Sequence, residues 1–296
     1  MGIDNVEKYS KYKPKKFLGQ NFLVDDNIAR KIVNSLNITP DDFVIEIGPG
    51  YGSLTKHFLE SATNYLAVEI DKSISGKLKE ELFSREKGKN VNILNGDFLK
   101  LNLANILEQY IPSGKKLNVK VAGNLPYNIT TEVLFKLFEN RDIVTSATLM
   151  VQKEVAQRIN SKPNTKEYGI LGIFTQYNAD VKILFNVPPT AFFPKPKIQS
   201  SVIELQFGNV KHKTKDYKLF RELVRESFGK RRKTMRNSLK DFFERKKIDG
   251  SKIKFDFSRR PENLTIEEFI NLANEIYILS NSDEQAGRSS RVPGTV

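Results

Sequence analysis

The chain has 296 residues, 39% hydrophobic and 28% charged, which is the balance of a soluble globular protein with one large domain and room for a smaller one. It contains no cysteine and only two histidines, His57 and His212, which excludes disulfides, thiolate metal sites, a cysteine nucleophile and a multi-histidine metal centre. The net charge is +13, and Lys211 to Lys254 holds 17 Lys and Arg against 6 Asp and Glu, so nearly all the excess sits in one late block suited to a phosphate backbone.

Residues 1–15 are polar and lysine-rich and read as a flexible tail without the apolar segment of a secretory signal. The longest apolar runs, such as Ala147 to Val151, are too short for a bilayer. A cytoplasmic protein without membrane contact is expected. Apolar residues at helical spacing place a helix over Asn27 to Leu36. A strand at Phe43–Ile47 runs into a tight loop, Gly48 to Gly52, and then a helix from Ser53 to Ser61. Tyr65–Ile70, Val91–Leu94, Val119–Ala122 and Ala147–Val151 read as further strands, with helices to about Ser84, over Thr131–Phe138 and over Gln152–Ile159. Such alternation predicts a largely parallel sheet with helices on both faces. Val181–Phe185 and Ser201–Phe207 then suit an antiparallel pair at the sheet edge, joined through a proline-rich stretch. From Tyr217 the pattern is helical and basic, with Phe220, Leu223, Val224 and Phe228 on one face. A last helix spans Leu264 to Leu279, with Thr265 as N-cap, and the tail from Asn281 is expected to be disordered.

Candidate site residues fall at the ends of the strands, where open α/β sheets bind ligands. Glu46-Ile47-Gly48-Pro49-Gly50-Tyr51-Gly52 has neither the glycine spacing of a dinucleotide fingerprint nor the Gly-Lys-Ser/Thr of a P-loop. Glu69 ends the second strand, where an acid accepts hydrogen bonds from a cofactor's ribose, a feature shared by NAD and S-adenosylmethionine. Asp97, after the third strand, suits either an adenine amino group, with Phe98 packed near the ring, or the cap of a turn. Asn124-Leu125-Pro126-Tyr127 ends the fourth strand. A ring-attached amine is a poor nucleophile, and the Asn124 side-chain oxygen and the Leu125 carbonyl are suitable acceptors for its N–H groups. Pro126 stiffens the turn, and Tyr127 offers a stacking face. Phe192-Phe193-Pro194-Lys195-Pro196-Lys197 reads as a stiff loop over the other face of the base.

Together with Gly19-Gln20-Asn21-Phe22-Leu23, Gln152-Lys153-Glu154-Val155-Ala156, Phe228 to Thr234 and Arg260-Pro261-Glu262, these motifs resemble the ribosomal RNA adenine N6,N6-dimethyltransferase family, most closely its bacterial small-subunit branch, from about Lys15 to Ala273. The resemblance implies an α/β Rossmann-like S-adenosylmethionine-dependent methyltransferase domain over 16–207, a small all-α basic RNA-binding domain over 208–280, and a disordered tail over 281–296. It implies S-adenosyl-L-methionine as cofactor, bound through Asn21, Leu23, Gly48, Gly50, Glu69, Ile70, Asp97, Phe98 and Asn124, with no metal. Catalysis falls to Asn124, Leu125, Pro126, Tyr127 and Phe192, and RNA contact to Arg231, Arg232, Lys233 and Arg236. The implied substrate is a pair of adjacent adenines near the 3′ end of small-subunit (16S) ribosomal RNA in an immature small subunit, modified by a monomer during ribosome biogenesis. Two departures stand out: Phe98 where many members carry a small residue, and the lead-in Lys16-Phe17-Leu18. Three rivals are a large-subunit resistance methyltransferase, which commonly reads Asn-Ile-Pro-Tyr, a non-catalytic RNA-binding assembly factor, and a NAD-dependent dehydrogenase, for which His57 has no obvious partner.

Overall fold

The computed structural model describes residues 14–15, 19–86, 88–111, 117–208, 213–230 and 232–289. The chain divides into two compact units, one of residues 1–157 and 179–209, the other of residues 158–178 and 210–296. The segment 158–178, read from the sequence as part of the first domain, groups with the second unit.

The first unit is built on a seven-stranded sheet. Its strands are β2 (Asp42–Ile47), β3 (Asn64–Glu69), β4 (Asn90–Asn95), β5 (Asn118–Asn124), β6 (Val144–Gln152), β7 (Asp180–Val187) and β9 (Ser200–Gln206), in the order β4-β3-β2-β5-β6-β9-β7. The five strands from β4 to β6 run parallel, and β9 runs antiparallel to both β6 and β7. Strand order moves outward from β2 to β4, then returns to β5 and moves the other way. Right-handed crossovers therefore send α2 (Thr55–Ser61) and α3 (Lys72–Glu81) to one face, and α4 (Leu103–Tyr110) and α5 (Thr130–Glu139) to the other. The reversal leaves a crevice beyond the C-terminal ends of β2 and β5. A short helix, α6 (Lys153–Ile159), follows β6 directly.

A second, two-stranded sheet is the feature that sequence patterning does not anticipate. Strand β1 (Phe22–Leu23) pairs antiparallel with β8 (Phe192–Phe193), Phe22 opposite Phe193 and Leu23 opposite Phe192. The Val24 N–H extends the pairing to the Ala191 carbonyl at 2.8 Å. Helix α1 (Asp26–Ser35) follows, capped by the Asp25 carboxylate on the Ile28 N–H. Its buried Ala29, Ile32 and Val33 join Phe58, Tyr65, Met150 and Val202 in the main core.

The second unit holds α7 (Ile170–Asn178), α8 (Tyr217–Gly229), α9 (Met235–Lys246) and α10 (Ile266–Ser289). Tyr177, Tyr217 and Phe220 stack at its centre. Thr265 caps α10 reciprocally with Glu268: the Glu268 N–H donates to Thr265 Oγ1 at 3.1 Å and the Thr265 N–H to Glu268 Oε2 at 2.7 Å. Helix α10 runs to Ser289, and residues 290–296 lie outside the described residues.

Candidate functional site

Four successive strand ends open on one cavity in the first unit, lined from β2 by Gly48 to Tyr51, from β3 by Glu69 and Ile70, from β4 by Asp97 and Phe98, and from β5 by Asn124 to Ile129. The β1 segment contributes Asn21, Phe22 and Leu23. Every residue assigned to the cofactor from the sequence therefore lines one concavity. Gly48 takes φ of +64°, which L side chains rarely adopt, and a Cβ there would meet nothing within 4 Å. The chain thus turns sharply and leaves its backbone open to a ligand. Gly50, at φ of +55°, has the Phe22 ring only 3.0 Å from where a Cβ would stand.

Glu69 is almost fully buried. Its Oε2 accepts the Gly50 N–H at 3.1 Å and its Oε1 the Asp71 N–H at 2.9 Å. Burial pushes its carboxyl above the usual range, against these two backbone donors, which favour the anion. A carboxylate has about four acceptor positions, so the backbone donors leave capacity for a ribose. Asp97 Oδ1 caps the turn after β4 through the Leu99 N–H at 3.0 Å. Ile70, 51% exposed, is a large apolar side chain left at the cavity. An acid beneath a glycine loop, a second acid one strand further and apolar Ile70 and Phe98 between them fit a ribose joined to an adenine.

The geometry at Asn124 is more specific. Its Nδ2 donates to the Asn21 carbonyl at 2.9 Å. A carbonyl only accepts, so the amide has one orientation, and Oδ1 is left without a donor among the described residues. The neighbouring Leu125 N–H is held by the Met150 carbonyl at 3.1 Å, and the Leu125 side chain is buried, which leaves its carbonyl as a second acceptor. Pro126 turns the chain into α5, its carbonyl accepting the Ile129 N–H at 3.2 Å. Tyr127 is half-buried and its hydroxyl lies 2.9 Å from Ser200 Oγ.

Phe192 is not brought to this cavity. Its side chain is 4% exposed and belongs to the same core cluster as Leu23, Ala191 and Val202, because β8 pairs with β1 and turns Phe192 inward. It stands opposite Leu23, which does line the cavity. His57, without an obvious partner in sequence, is buried between Asp26, 2.9 Å from its Nε2, and Glu60, 3.4 Å from its Nδ1, so it ties α2 to α1. The adjacent Lys56 hydrogen bond holds the Asp26 carboxyl down at about 2. Glu46 opens the glycine motif, and nothing in the sequence gives it a role of its own. The structure buries it and surrounds it with hydroxyls: Thr55 Oγ1 donates at 2.8 Å and Tyr65 also donates, while burial pushes the carboxyl up to about 7.

In the second unit the cations sort into two kinds. Arg245 reaches Glu222 and Glu226 at 3.1 and 2.8 Å, Lys246 reaches Glu222 at 2.8 Å, and Lys230 reaches Asp241 at 2.9 Å. These charges brace α8 against α9. Arg232, Lys233 and Arg236 are exposed at the turn into α9 and none forms an ion pair among the described residues, although the Arg236 charge still acts on the Asp256 carboxyl. Arg231 and the lead-in Lys16-Phe17-Leu18 lie outside the described residues, as do residues 1–13 of the N-terminal tail. Among the described residues no helix is long and apolar enough to cross a membrane, and no group of three or more His, Asp or Glu could hold a metal.

Comparison with known proteins places this architecture. Residues 11–277 match the family model "Ribosomal RNA adenine dimethylase". A curated relative from Francisella tularensis subsp. novicida, "Ribosomal RNA small subunit methyltransferase A", is 42% identical over 264 residues, covering 89% of this chain and 98% of its own. A dimethyladenosine transferase from Plasmodium falciparum superposes with a TM-score of 0.69 at 25% identity, over 86% of this chain and 96% of that one. The 23S ribosomal RNA methyltransferase ErmE shares the fold at a TM-score of 0.61 and 21% identity, over 87% and 100% of the two chains. The chain belongs to the ribosomal RNA adenine dimethylase family, whose members take their methyl groups from S-adenosylmethionine.

Proposed function

We propose that this enzyme dimethylates the N6 amines of two adjacent adenines near the 3′ end of small-subunit ribosomal RNA, as a cytoplasmic monomer acting on the immature small subunit. The observation that carries the reading is the fixed Asn124 amide, whose Oδ1 stands beside the Leu125 carbonyl in the cavity that also holds Glu69 and Asp97. Similarity to the small-subunit relative, at 42% over nearly its whole length, supports this branch over the large-subunit one. The Leu125 in place of the isoleucine common to resistance enzymes agrees.

In this reading Glu69 takes the ribose diol, Asp97 the adenine amino group, and Ile70 and Phe98 flank the ring. Asn21, Leu23, Gly48 and Gly50 shape the opposite wall. The cofactor supplies a methyl group already activated on a sulfonium, so no strong general base is needed. Asn124 Oδ1 and the Leu125 carbonyl accept the two N–H bonds of the target amine and turn its lone pair toward the methyl group. Tyr127 stacks on the base. Each transfer removes one N–H. The monomethylated amine still satisfies one acceptor, whereas the dimethylated amine satisfies neither, which favours release after the second transfer. Arg232, Lys233, Arg236 and Arg231 contact the phosphate backbone.

Transfer of radiolabelled methyl from S-adenosylmethionine to small subunits lacking these methyl groups, beside large subunits, tests the proposal. Label in dimethyladenine of the small subunit alone is expected. Label in the large subunit instead would move the enzyme to the resistance branch, and cofactor binding without transfer to either would leave an RNA-binding assembly factor.

A further inference from the structure

Tyr127 and Ser200 are 73 residues apart in sequence, yet their hydroxyls meet at 2.9 Å. Ser200 is the first residue of β9 and is fully buried. It is fixed from three sides: opposite Gln152 on β6, opposite Val187 on β7, and through its neighbour Gln199. The Gln199 carbonyl accepts the Lys153 N–H at 3.0 Å, and its side-chain oxygen accepts from Lys153 Nζ at 3.0 Å. Tyr127, by contrast, stands on the irregular turn between β5 and α5 and is only half-buried. Its aromatic ring would be free to swing about χ1 if the Cα were its only anchor.

We infer that Ser200 is a positioning residue: its hydroxyl, held by the sheet, pins the phenol of Tyr127 and so fixes the plane on which the target base stacks. The inference rests on the reading of Tyr127 as the base platform. A ring held at both its Cβ and its oxygen presents one face in one orientation. Transfer between an amine and a methyl group is sensitive to such alignment, since misplacement by about 1 Å can cost roughly 100-fold in rate. The bond also spans the sheet from β5 to β9, across β6. It thereby ties the turn carrying Asn124 to the foot of the proline-rich connection that follows β8.

The test is a double-mutant cycle on kcat with small-subunit substrate, using Ser200→Ala, Tyr127→Phe and the pair. Each single variant is expected to lower kcat about fivefold, the weight of one ordinary hydrogen bond, with KM for S-adenosylmethionine unchanged. The pair is expected to lose no more than either single, because both remove the same bond. Losses that multiply to about 25-fold, or a Ser200→Ala variant as fast as the parent, would overturn the inference. A merely structural serine would slow the enzyme equally in the Tyr127→Phe background. If Ser200→Ala does not fold, Ser200→Cys serves in its place, as it keeps the volume with a much weaker hydrogen bond. Tyr127→Ala separates the two levels: full activity there would remove the base-platform reading itself, whereas lost activity with multiplying singles would remove only the role of Ser200.

Discussion

The two units of this chain handle polar groups in opposite ways. In the first, the decisive groups are few, buried or half-buried, and oriented by neighbours: Glu69 by two backbone N–H groups, Asn124 by one carbonyl, Tyr127 by one serine. In the second, charge is plentiful and exposed, and Arg232, Lys233 and Arg236 lack the ion pairs that hold Arg245, Lys246 and Lys230 among the described residues. A preorganised site gains from groups that cannot turn. A surface that meets a phosphate backbone gains from cations not already spent on carboxylates, because each neutralised phosphate releases counterions. On the proposed function, the difference separates a centre for chemistry from a surface for grip.

Removing the oriented amide is the harshest way to break that contrast. Asn124→Ala is expected to lower turnover roughly 1,000-fold, on the scale of a lost oxyanion-type group, with RNA affinity unchanged in a filter-binding assay. Asn124→Asp sharpens the point. It keeps an acceptor toward the amine but sets a carboxylate oxygen against the Asn21 carbonyl, now 2.9 Å from Nδ2. Turnover close to that of Asn124→Ala is expected; near-normal turnover would show that the Asn21 hydrogen bond is incidental. Glu69→Ala comes next. Calorimetry is expected to show S-adenosylmethionine binding weakened by about 10- to 100-fold, the loss of one or two hydrogen bonds to a charged group.

In the second unit, neutralising Arg232, Lys233 and Arg236 together is expected to flatten the slope of log affinity against log salt by roughly 0.7 to 0.9 for each phosphate no longer neutralised. Arg245→Ala and Lys246→Ala are the matched control and should leave that slope nearly unchanged, since Glu222 and Glu226 already hold these side chains. Equal slopes for both sets would dissolve the distinction between bracing and gripping cations.

The smallest effect concerns Glu46. Its carboxyl is pushed up from 4.5 to about 7 by burial, so the folded protein holds a proton that the unfolded chain releases. The resulting stability is fully present below pH about 4.5 and is lost as pH rises through about 7, a fall of about 3 kcal/mol at most. Urea denaturation at pH 5 and 8 should show that fall for the parent and its absence for Glu46→Gln.

Much of this is readable from the amino-acid sequence, and what is not has local physical reasons. Strands β2 to β6 announce themselves as short apolar runs between glycine and helix signals, and the residues at their ends carry distinctive chemistry. Asn124 and Glu69 stand out for that reason. The β1–β8 pairing has two residues per strand and no periodicity to detect, yet it is what sets Phe192 against Leu23 in the core. The long-range partner of His57, Asp26 at 31 positions distance, is set by packing of α1 on α2, which no local pattern encodes, whereas Glu60 lies one turn along the same helix. The Tyr127–Ser200 hydrogen bond is of the same kind. In the basic block, composition reveals the charge but not its pairing, since the carboxylates that neutralise Arg245 and Lys246 lie on the preceding helix.

A crystal structure with S-adenosylhomocysteine and adenosine monophosphate would test the central claim most directly. The adenine N6 is expected within hydrogen-bond distance of both Asn124 Oδ1 and the Leu125 carbonyl, with the ring against Tyr127 and the Asn124 Nδ2 still on the Asn21 carbonyl. An adenine seated with N6 away from these acceptors, or a reversed Asn124 amide, would contradict it.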